Sequence, residues 1–148
     1  MPHSYTNLLY HFVLATKDRL PLINSEIRPR LYDYLGGTAR GLDGTALEIG
    51  GIEDHVHLLA KLRQDIAVAE FLKKLKSNSS GWMRRTLRKD FGWQRGFGGF
   101  TVSESQVERV RRYIRNQAEH HRRVSFEEEF KALLRAHLID YEEDYLWR

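Results

Sequence analysis

The sequence predicts an α+β fold of the ferredoxin-like, split βαβ kind: one antiparallel sheet with helices on one face, the other face open, and further helices at the C-terminus. Three observations predict it. The elements run strand–helix–strand–strand–helix–strand. The third strand alternates apolar and polar residues, and the helices repeat apolar residues every three and four positions. A chain of 148 residues, 41% of them hydrophobic, also suits one domain (1–148) with a substantial core, since chains near this length bury roughly 70% of their unfolded surface. The core is expected over about 8–123, with a C-terminal helix and tail over about 124–148. The absence of cysteine excludes a disulfide scaffold, a Cys-type zinc site, an iron–sulfur centre and a cysteine nucleophile. Apolar runs fall far short of the roughly 20 residues that span a bilayer. Met1-Pro2-His3-Ser4-Tyr5 lacks the pattern of a signal peptide, so a cytoplasmic protein is expected.

Each element has a local cause. Leu8 to Thr16 is short, apolar and aromatic-rich, a buried strand turned at Lys17-Asp18-Arg19. Asn24 or Ser25 caps a helix with Ile27, Leu31, Tyr34, Leu35 and Leu42 at helical spacing. Pro29 belongs near its first turn, and Gly36-Gly37 is expected to weaken its end. Thr45–Ile49 reads as a second strand, Gly50-Gly51 as a break or bulge, and Ile52–Leu62 as a third strand. Along that third strand Val56, Leu58, Ala60 and Leu62 share one face, while His55, His57 and Lys61 take the other. A long helix over about 66–88 buries Val68, Phe71, Leu72, Leu75 and Trp82, and shows Lys73, Lys74, Lys76, Arg84 and Arg85 outward. A glycine-rich aromatic loop, Phe91 to Phe100, leads into a strand at Phe100–Val102. Ser103 with Gln106, or Ser105 with Glu108, forms a capping box for a helix reaching about His121. A final amphipathic helix spans about 126–136, and the acidic, aromatic segment 141–147 packs back with no chemical role assigned.

Positive charge is concentrated in the middle of the chain. Residues 61–123 carry 16 basic and 6 acidic side chains, whereas residues 1–60 carry 5 and 7. This suits either a surface that meets a polyanion or solvated helix faces. Two residue pairs suggest chemistry. His55 and His57, two apart on a strand and pointing away from the apolar face, reach one metal ion or stand as half-exposed histidines. Tyr113 and Gln117, four apart on a helix, lie together at the edge of the stripe Val107, Val110 and Ile114; packing alone also explains them. Arg109, Arg111, Arg112, Arg115, Arg122 and Arg123 surround that tyrosine, and guanidinium forks match phosphate oxygens. No phosphate-cradling loop, nucleophile-elbow serine or HExxH helix is present.

Taken together and in order, several blocks resemble the single-tyrosine HUH transposases of small bacterial insertion sequences, the insertion-sequence-200-like family. They are Asp54-His55-Val56-His57-Leu58-Leu59, Phe71 to Ser77 with Ser79-Ser80, Trp93 to Val102, Tyr113-Ile114-Arg115-Asn116-Gln117 and His120-His121. Thr16-Lys17 and Arg19 to Ile23 are similar to the family's opening. The resemblance covers about residues 8–135. Arg63-Gln64-Asp65 lacks the proline the family places there, and Gly36-Gly37 interrupts its first helix. The resemblance implies a domain that cuts and rejoins single-stranded DNA, recognising a hairpin near each end of its element. It implies His55, His57 and Gln117 as metal ligands, Tyr113 as nucleophile, and Mg2+ or Mn2+ as the cofactor. It also implies a homodimer in which the tyrosine helix can complete the partner's histidine site.

The chemistry agrees with those roles. A free phenol has a pKa near 10 and attacks poorly at neutral pH. A divalent Lewis acid withdraws charge from phosphorus and orients it. Tyr113 would then join the 5′ phosphate covalently and release a 3′-hydroxyl. Rejoining needs no ATP, because the bond energy is kept. Glu53 shares the strand parity of His55 and His57 and is expected to assist. Lys73, Lys74, Lys76, Arg111, Arg112 and Arg115 suit the DNA backbone, and Trp93 suits base stacking. Two alternatives stay open: a non-catalytic single-stranded nucleic-acid-binding module of this fold, and a metal-dependent phosphoesterase using water.

Overall fold

A computed structural model describes residues 3–147. Four antiparallel strands form one sheet: β1 (Leu8–Ala15), β2 (Thr45–Ile52), β3 (His55–Leu62) and β4 (Gly98–Thr101), in spatial order β2-β3-β1-β4. The helices are α1 (Arg28–Gly41), α2 (Val68–Thr86), α3 (Val107–Arg115), α4 (Gln117–His120) and α5 (Phe126–Ala136). No helix among the described residues is long and apolar enough to cross a membrane.

Strand parity divides the molecule into two layers. Phe12 and Leu14 of β1, with Val56, Leu58, Ala60 and Leu62 of β3, pack against Leu31, Leu35 and Ala39 of α1 and Phe71, Leu72 and Leu75 of α2. This is the core that the alternation predicts. The opposite parity carries Leu9, Val13 and Ala15 of β1 and Leu59 of β3. Here the expectation of an open face is corrected. α3 covers the side of β2 and β3 through Val107 and Ile114, and α5 covers the side of β1 and β4 through Phe126 and Leu134. The tail completes this layer. Tyr141, Leu146 and Trp147 pack on Phe126 and Phe130, and the Arg19 guanidinium lies 4.4 Å from the Trp147 ring centre.

Three local expectations change for identifiable reasons. α1 runs straight through Gly36 and Gly37, because burial of Leu31, Leu35 and Ala39 outweighs the glycine propensity cost. Its start does follow Asn24, whose side-chain oxygen accepts from the N–H groups of Glu26 and Ile27. Gly50-Gly51 does not break the strand. β2 continues to Ile52, and the register shift falls between Ala46 and Glu48 instead. A Cβ on Gly50 would stand 2.3 Å from the carbonyl oxygen of Ile114, so this glycine lets α3 lie directly on the sheet. Because β3 then starts at His55, Glu53 sits in the hairpin turn and pairs with Arg28 at 3.5 Å, away from the histidines. The strand parity invoked for Glu53 does not apply.

Gly37 shows the opposite situation, since a Cβ there meets only Arg40 Nη2 at 3.7 Å. Gly37→Ala is expected to stabilise the fold by about 0.5–1 kcal/mol through restriction of the unfolded chain. A rise of roughly 1–4 °C in melting temperature checks it, and a fall would mean that α1 is strained at that point.

Candidate active site

The site lies between the sheet and the α3–α5 layer. β3 presents His55 and His57 on one face, as a spacing of two requires, and both are fully buried rather than half-exposed. β1 contributes His11, whose Nε2 lies 2.7 Å from His57 Nδ1. The helix expected to reach His121 is interrupted at Asn116 (φ −98°, ψ 24°). Tyr113 therefore belongs to α3, while Gln117 opens α4 and His121 follows it. Even so, both Tyr113 and Gln117 point at the same carboxylate. That group is Glu129, in the first turn of α5. Ser125 and Glu128 form the capping box that fixes the start of this helix.

Glu129 is the centre of the arrangement. Its Oε1 lies 3.0 Å from His57 Nε2, 3.1 Å from His121 Nε2 and 3.4 Å from His55 Nε2. Its Oε2 accepts from Gln117 Nε2 at 2.9 Å and from the hydroxyl of Tyr113. His120 Nε2 is 3.2 Å from that oxygen but out of line for a hydrogen bond. One ligand atom each from His55, His57, His121 and Glu129 all fall within 4.8 Å of one another.

Hydrogen-bond valence shows what such a centre accepts. His121 Nδ1 lies 2.7 Å from the carbonyl oxygen of Val124, which can only accept, so Nδ1 carries the proton. His55 Nδ1 faces the Asp54 carboxylate at 2.9 Å and is fixed in the same way. In their neutral forms both rings therefore aim an Nε2 lone pair inward. Each lone pair meets the amide oxygen of Gln117 at 3.0 Å, with Glu129 Oε1 close beside it. Lone pairs facing acceptor oxygens need positive charge between them, supplied either by protons on the rings or by a cation. The donor set of imidazole nitrogen, carboxylate and amide oxygen suits a divalent metal ion.

The electrostatics follow from burial. Burial lowers His57 to about 4, against the opposing pull of Glu129. Burial and then the charge of His57 lower His11 to about 3. Burial also works against charge on His55, but hydrogen bonds to Asp54 and Glu129 outweigh it and raise the ring to about 8. For Glu129 burial would raise the carboxyl, yet hydrogen bonds from His121, His55 and His57 hold it well below the usual carboxylate range. Burial, reinforced by the Glu129 charge, pushes the Tyr113 phenol up.

These shifts predict an acid-sensitive fold. His57 and His11 bind protons more weakly when folded, so their contribution is complete above about pH 6.5 and is lost as pH falls toward 4 and 3. Glu129 adds further loss below its unfolded value near 4.5. His55 has the opposite sign: its contribution is complete below 6.5 and disappears as pH rises through about 8. Between pH 7 and 5 the net loss should be about 2–3 kcal/mol. Thermal melts across that range, without added metal, test this; a flat profile would contradict neutral buried imidazoles.

The basic and aromatic residues expected to meet DNA have varied placements. Arg112 is exposed and lines a cleft of about 670 Å³ beside Tyr113, together with Arg109 and Arg123. Arg111 and Arg115 both reach Glu48, at 3.3 and 3.0 Å, and so tie α3 to β2. Lys73 is exposed, and Lys74 pairs with Glu70 at 3.3 Å. Lys76 spends its ammonium on the carbonyls of Gln94, Arg95 and Gly96, at 2.6, 3.0 and 2.9 Å, and so holds the glycine-rich loop. Trp93 is half-buried and donates Nε1–H to Ser79 Oγ at 2.9 Å.

Sequence reasoning missed His11 and Glu129, and it assigned no role to His121. His11 lies within an apolar run that gives no sign of chemistry. Glu129 did leave a signal: it interrupts the apolar side of α5 between Phe126 and Phe130, where a carboxylate needs partners.

Comparison with known proteins identifies the family. Residues 4–117 match the family described as "Transposase IS200 like". The ISDra2 transposase TnpA of Deinococcus radiodurans is 30% identical over 119 residues, covering 74% of this chain and 84% of that protein. The transposase for insertion sequence element IS200 of Salmonella typhimurium is 27% identical over 126 residues, covering 80% and 82%. A solved structure of a D. radiodurans protein described as a transposase superposes with a TM-score of 0.65 at 26% identity, over 78% of this chain and 94% of that one. A REP-associated tyrosine transposase, solved bound to a REP hairpin, has the same fold (TM-score 0.61, 14% identity, 80% and 72% covered). With a four-stranded antiparallel sheet, a His-x-His pair on its central strand and a family match across most of its length, the chain belongs to the IS200-like transposases.

Proposed function

We propose that this protein cleaves and rejoins single-stranded DNA through a covalent 5′-phosphotyrosine at Tyr113, with Mg2+ or Mn2+ held by His55, His57 and the amide oxygen of Gln117. The observation that carries this reading is convergence: the Tyr113 hydroxyl and the Nε2 atoms of both histidines meet the same carboxylate, Glu129, within one chain. The bound ion supplies Lewis-acid polarisation of the scissile phosphate.

The chain's own residues do the rest. In the cleavage step the Tyr113 oxygen bonds to phosphorus and the P–O3′ bond breaks. The phenol loses its proton, and the 3′-oxygen leaves as a hydroxyl. Rejoining reverses each change. Glu129 orients the phenol by accepting its hydrogen bond, and Asp54 and His11 hold the ring planes of His55 and His57. Arg109, Arg112 and Arg123 line the cleft through which a sugar–phosphate chain reaches Tyr113. The relative solved with a REP hairpin supports a hairpin as the recognised form of the substrate.

The deciding experiment incubates the protein with a hairpin-containing single-stranded oligonucleotide and MnCl2, then resolves the mixture on a denaturing gel. A protein–DNA band with an equimolar free 3′-hydroxyl fragment is expected. Binding without cleavage would favour a non-catalytic module, and cleavage without the band would favour a water-using phosphoesterase.

A homodimer also belongs to this reading, and the within-chain contact supports sites completed in cis. Mixing Tyr113→Phe with His57→Ala protein should therefore restore little of the covalent product. Recovery toward about a quarter of the wild-type level, as random subunit exchange in an equal mixture gives, would assign the tyrosine to the partner's histidines.

A further inference from the structure

We infer that in the metal centre of this chain two donors beyond residue 117, His121 and Glu129, take the place given above to the Gln117 amide oxygen, so that three imidazoles and one carboxylate bind the ion before any DNA arrives. The inference rests on the metal-dependent reading above and assigns ligands that lie outside the stretch matching the family.

Four observations support it. First, the imidazole nitrogens of His55, His57 and His121 and a Glu129 oxygen all lie within 4.8 Å of one another. Donors sharing one ion at a bond length near 2.1 Å stand about 3–4.2 Å apart, so side-chain adjustments of under about an ångström close this set around a cation. Second, the tautomers favour ligation. Val124 accepts from His121 Nδ1, and Asp54 stands against His55 Nδ1, so in the neutral rings, the forms that bind an ion, both Nε2 lone pairs are directed inward. Third, Glu129 is 3% exposed and sits on the apolar side of α5, where an anion has no reason to be without positive charge to meet. Fourth, α5 is held over the site by contacts other than those of Glu129. Phe126 stacks on the His55 ring with centroids 3.8 Å apart, and the Ser125–Glu128 capping box sets the helix start.

The consequence is a change in the character of the site. Two imidazoles and an amide bring no net charge and bind a hard cation weakly. A carboxylate adds charge neutralisation, and a third imidazole favours Mn2+ and the later divalent metals over Mg2+. Glu129 also joins ion and nucleophile physically, one oxygen facing the imidazoles and the other holding the Tyr113 hydroxyl.

Calorimetric titration of the full chain with MnCl2, without DNA, tests the assignment. The wild type is expected to bind one ion, and Mg2+ more weakly. Glu129→Gln keeps the shape of the side chain, and His121→Asn keeps a polar group of smaller size. Each should lose at least about tenfold in Mn2+ affinity, since even outer-shell changes cost 10–100-fold. Circular dichroism of the metal-free variants establishes that they are folded. Cobalt titration of the wild type gives an independent reading, because a four-coordinate site produces strong visible bands and a largely hydrated ion does not.

Losses of about tenfold or more in both variants, with the strong cobalt bands, support the four-residue centre. A smaller loss in either variant, weak cobalt absorption, or no Mn2+ binding by the wild type until DNA is added overturns it. The covalent-adduct experiment is read separately, so failure here leaves the tyrosine mechanism standing, and failure there leaves a metal site without that reaction.

Discussion

Tyr113→Phe is expected to abolish the covalent protein–DNA product, a loss on the order of 10³-fold or more, because the atom that would bond to phosphorus is removed. The variant should otherwise resemble the wild type. Glu129 Oε2 keeps its hydrogen bond from Gln117 Nε2 at 2.9 Å, so the buried carboxylate is not orphaned. The ring remains half-buried in its place, with edge contacts to His57 and His11 at centroid distances of 5.6 and 6.0 Å. Stability should fall by no more than about 3 kcal/mol, the upper value for a hydrogen bond to a charged group. Binding of the oligonucleotide, measured by fluorescence anisotropy, should be within a few-fold of wild type. Continued cleavage by the Phe variant would exclude a tyrosine nucleophile and point to water; a covalent band surviving in it would place the attachment on another residue.

Gly50→Ala carries the second large effect. The added Cβ would stand 2.3 Å from the backbone oxygen of Ile114 and 3.0 Å from its carbonyl carbon, and backbone cannot swing aside as a side chain can. Either β2 or α3 has to move. Gly50 is paired with His57, and Ile114 follows Tyr113, so any movement separates the histidine strand from the tyrosine helix. A cost of about 3 kcal/mol is expected, at the upper end for overpacking, or roughly 6–12 °C in melting temperature for a chain of this size. Adduct formation should fall further than the stability loss explains when both are measured well below the melting point. Gly50→Ala protein with wild-type melting and activity would show that the helix–sheet contact is loose.

Much of the fold was legible because its signals are local. The alternation in β3 placed Val56, Leu58, Ala60 and Leu62 on the core side and the histidines opposite, and parity alone achieves that. Helical spacing likewise placed Leu31 and Leu35 on the buried side of α1. What the sequence did not reveal depends on contacts between distant segments. Gly50 looks like a strand break until Ile114, 64 positions later, is seen resting on it. The covering of the second face was missed because α5 buries only a few side chains there, while its exposed acidic residues read as a solvated surface. At the site, Tyr113, Gln117 and the His-x-His pair were visible through spacing. Glu129 was not, since a single glutamate on an amphipathic helix has no meaning until its partners on β3 and after α4 are placed. Asn116 also interrupts the helix on which the four-residue spacing of Tyr113 and Gln117 was argued, yet both side chains still reach Glu129.

The layers above and below the sheet are attached unequally, and this bears on how a polymer gains entry. α1 and α2 rest on a continuous bed that includes Phe12, Leu35, Leu58, Phe71 and Leu75. α3–α5 rest on two smaller apolar patches, with His11, His55, His57, Gln117 and Glu129 buried between them. Amide protons in β1 and β3 should thus exchange with solvent only on global unfolding, while those of α3–α5 escape through partial detachment at lower free energy. Two histidines with no accessible surface are beyond the reach of a nucleotide chain while that upper tier is seated. Under the proposed function, DNA reaches the histidines only when the weaker tier lifts, and deuterium labelling measures how often it does.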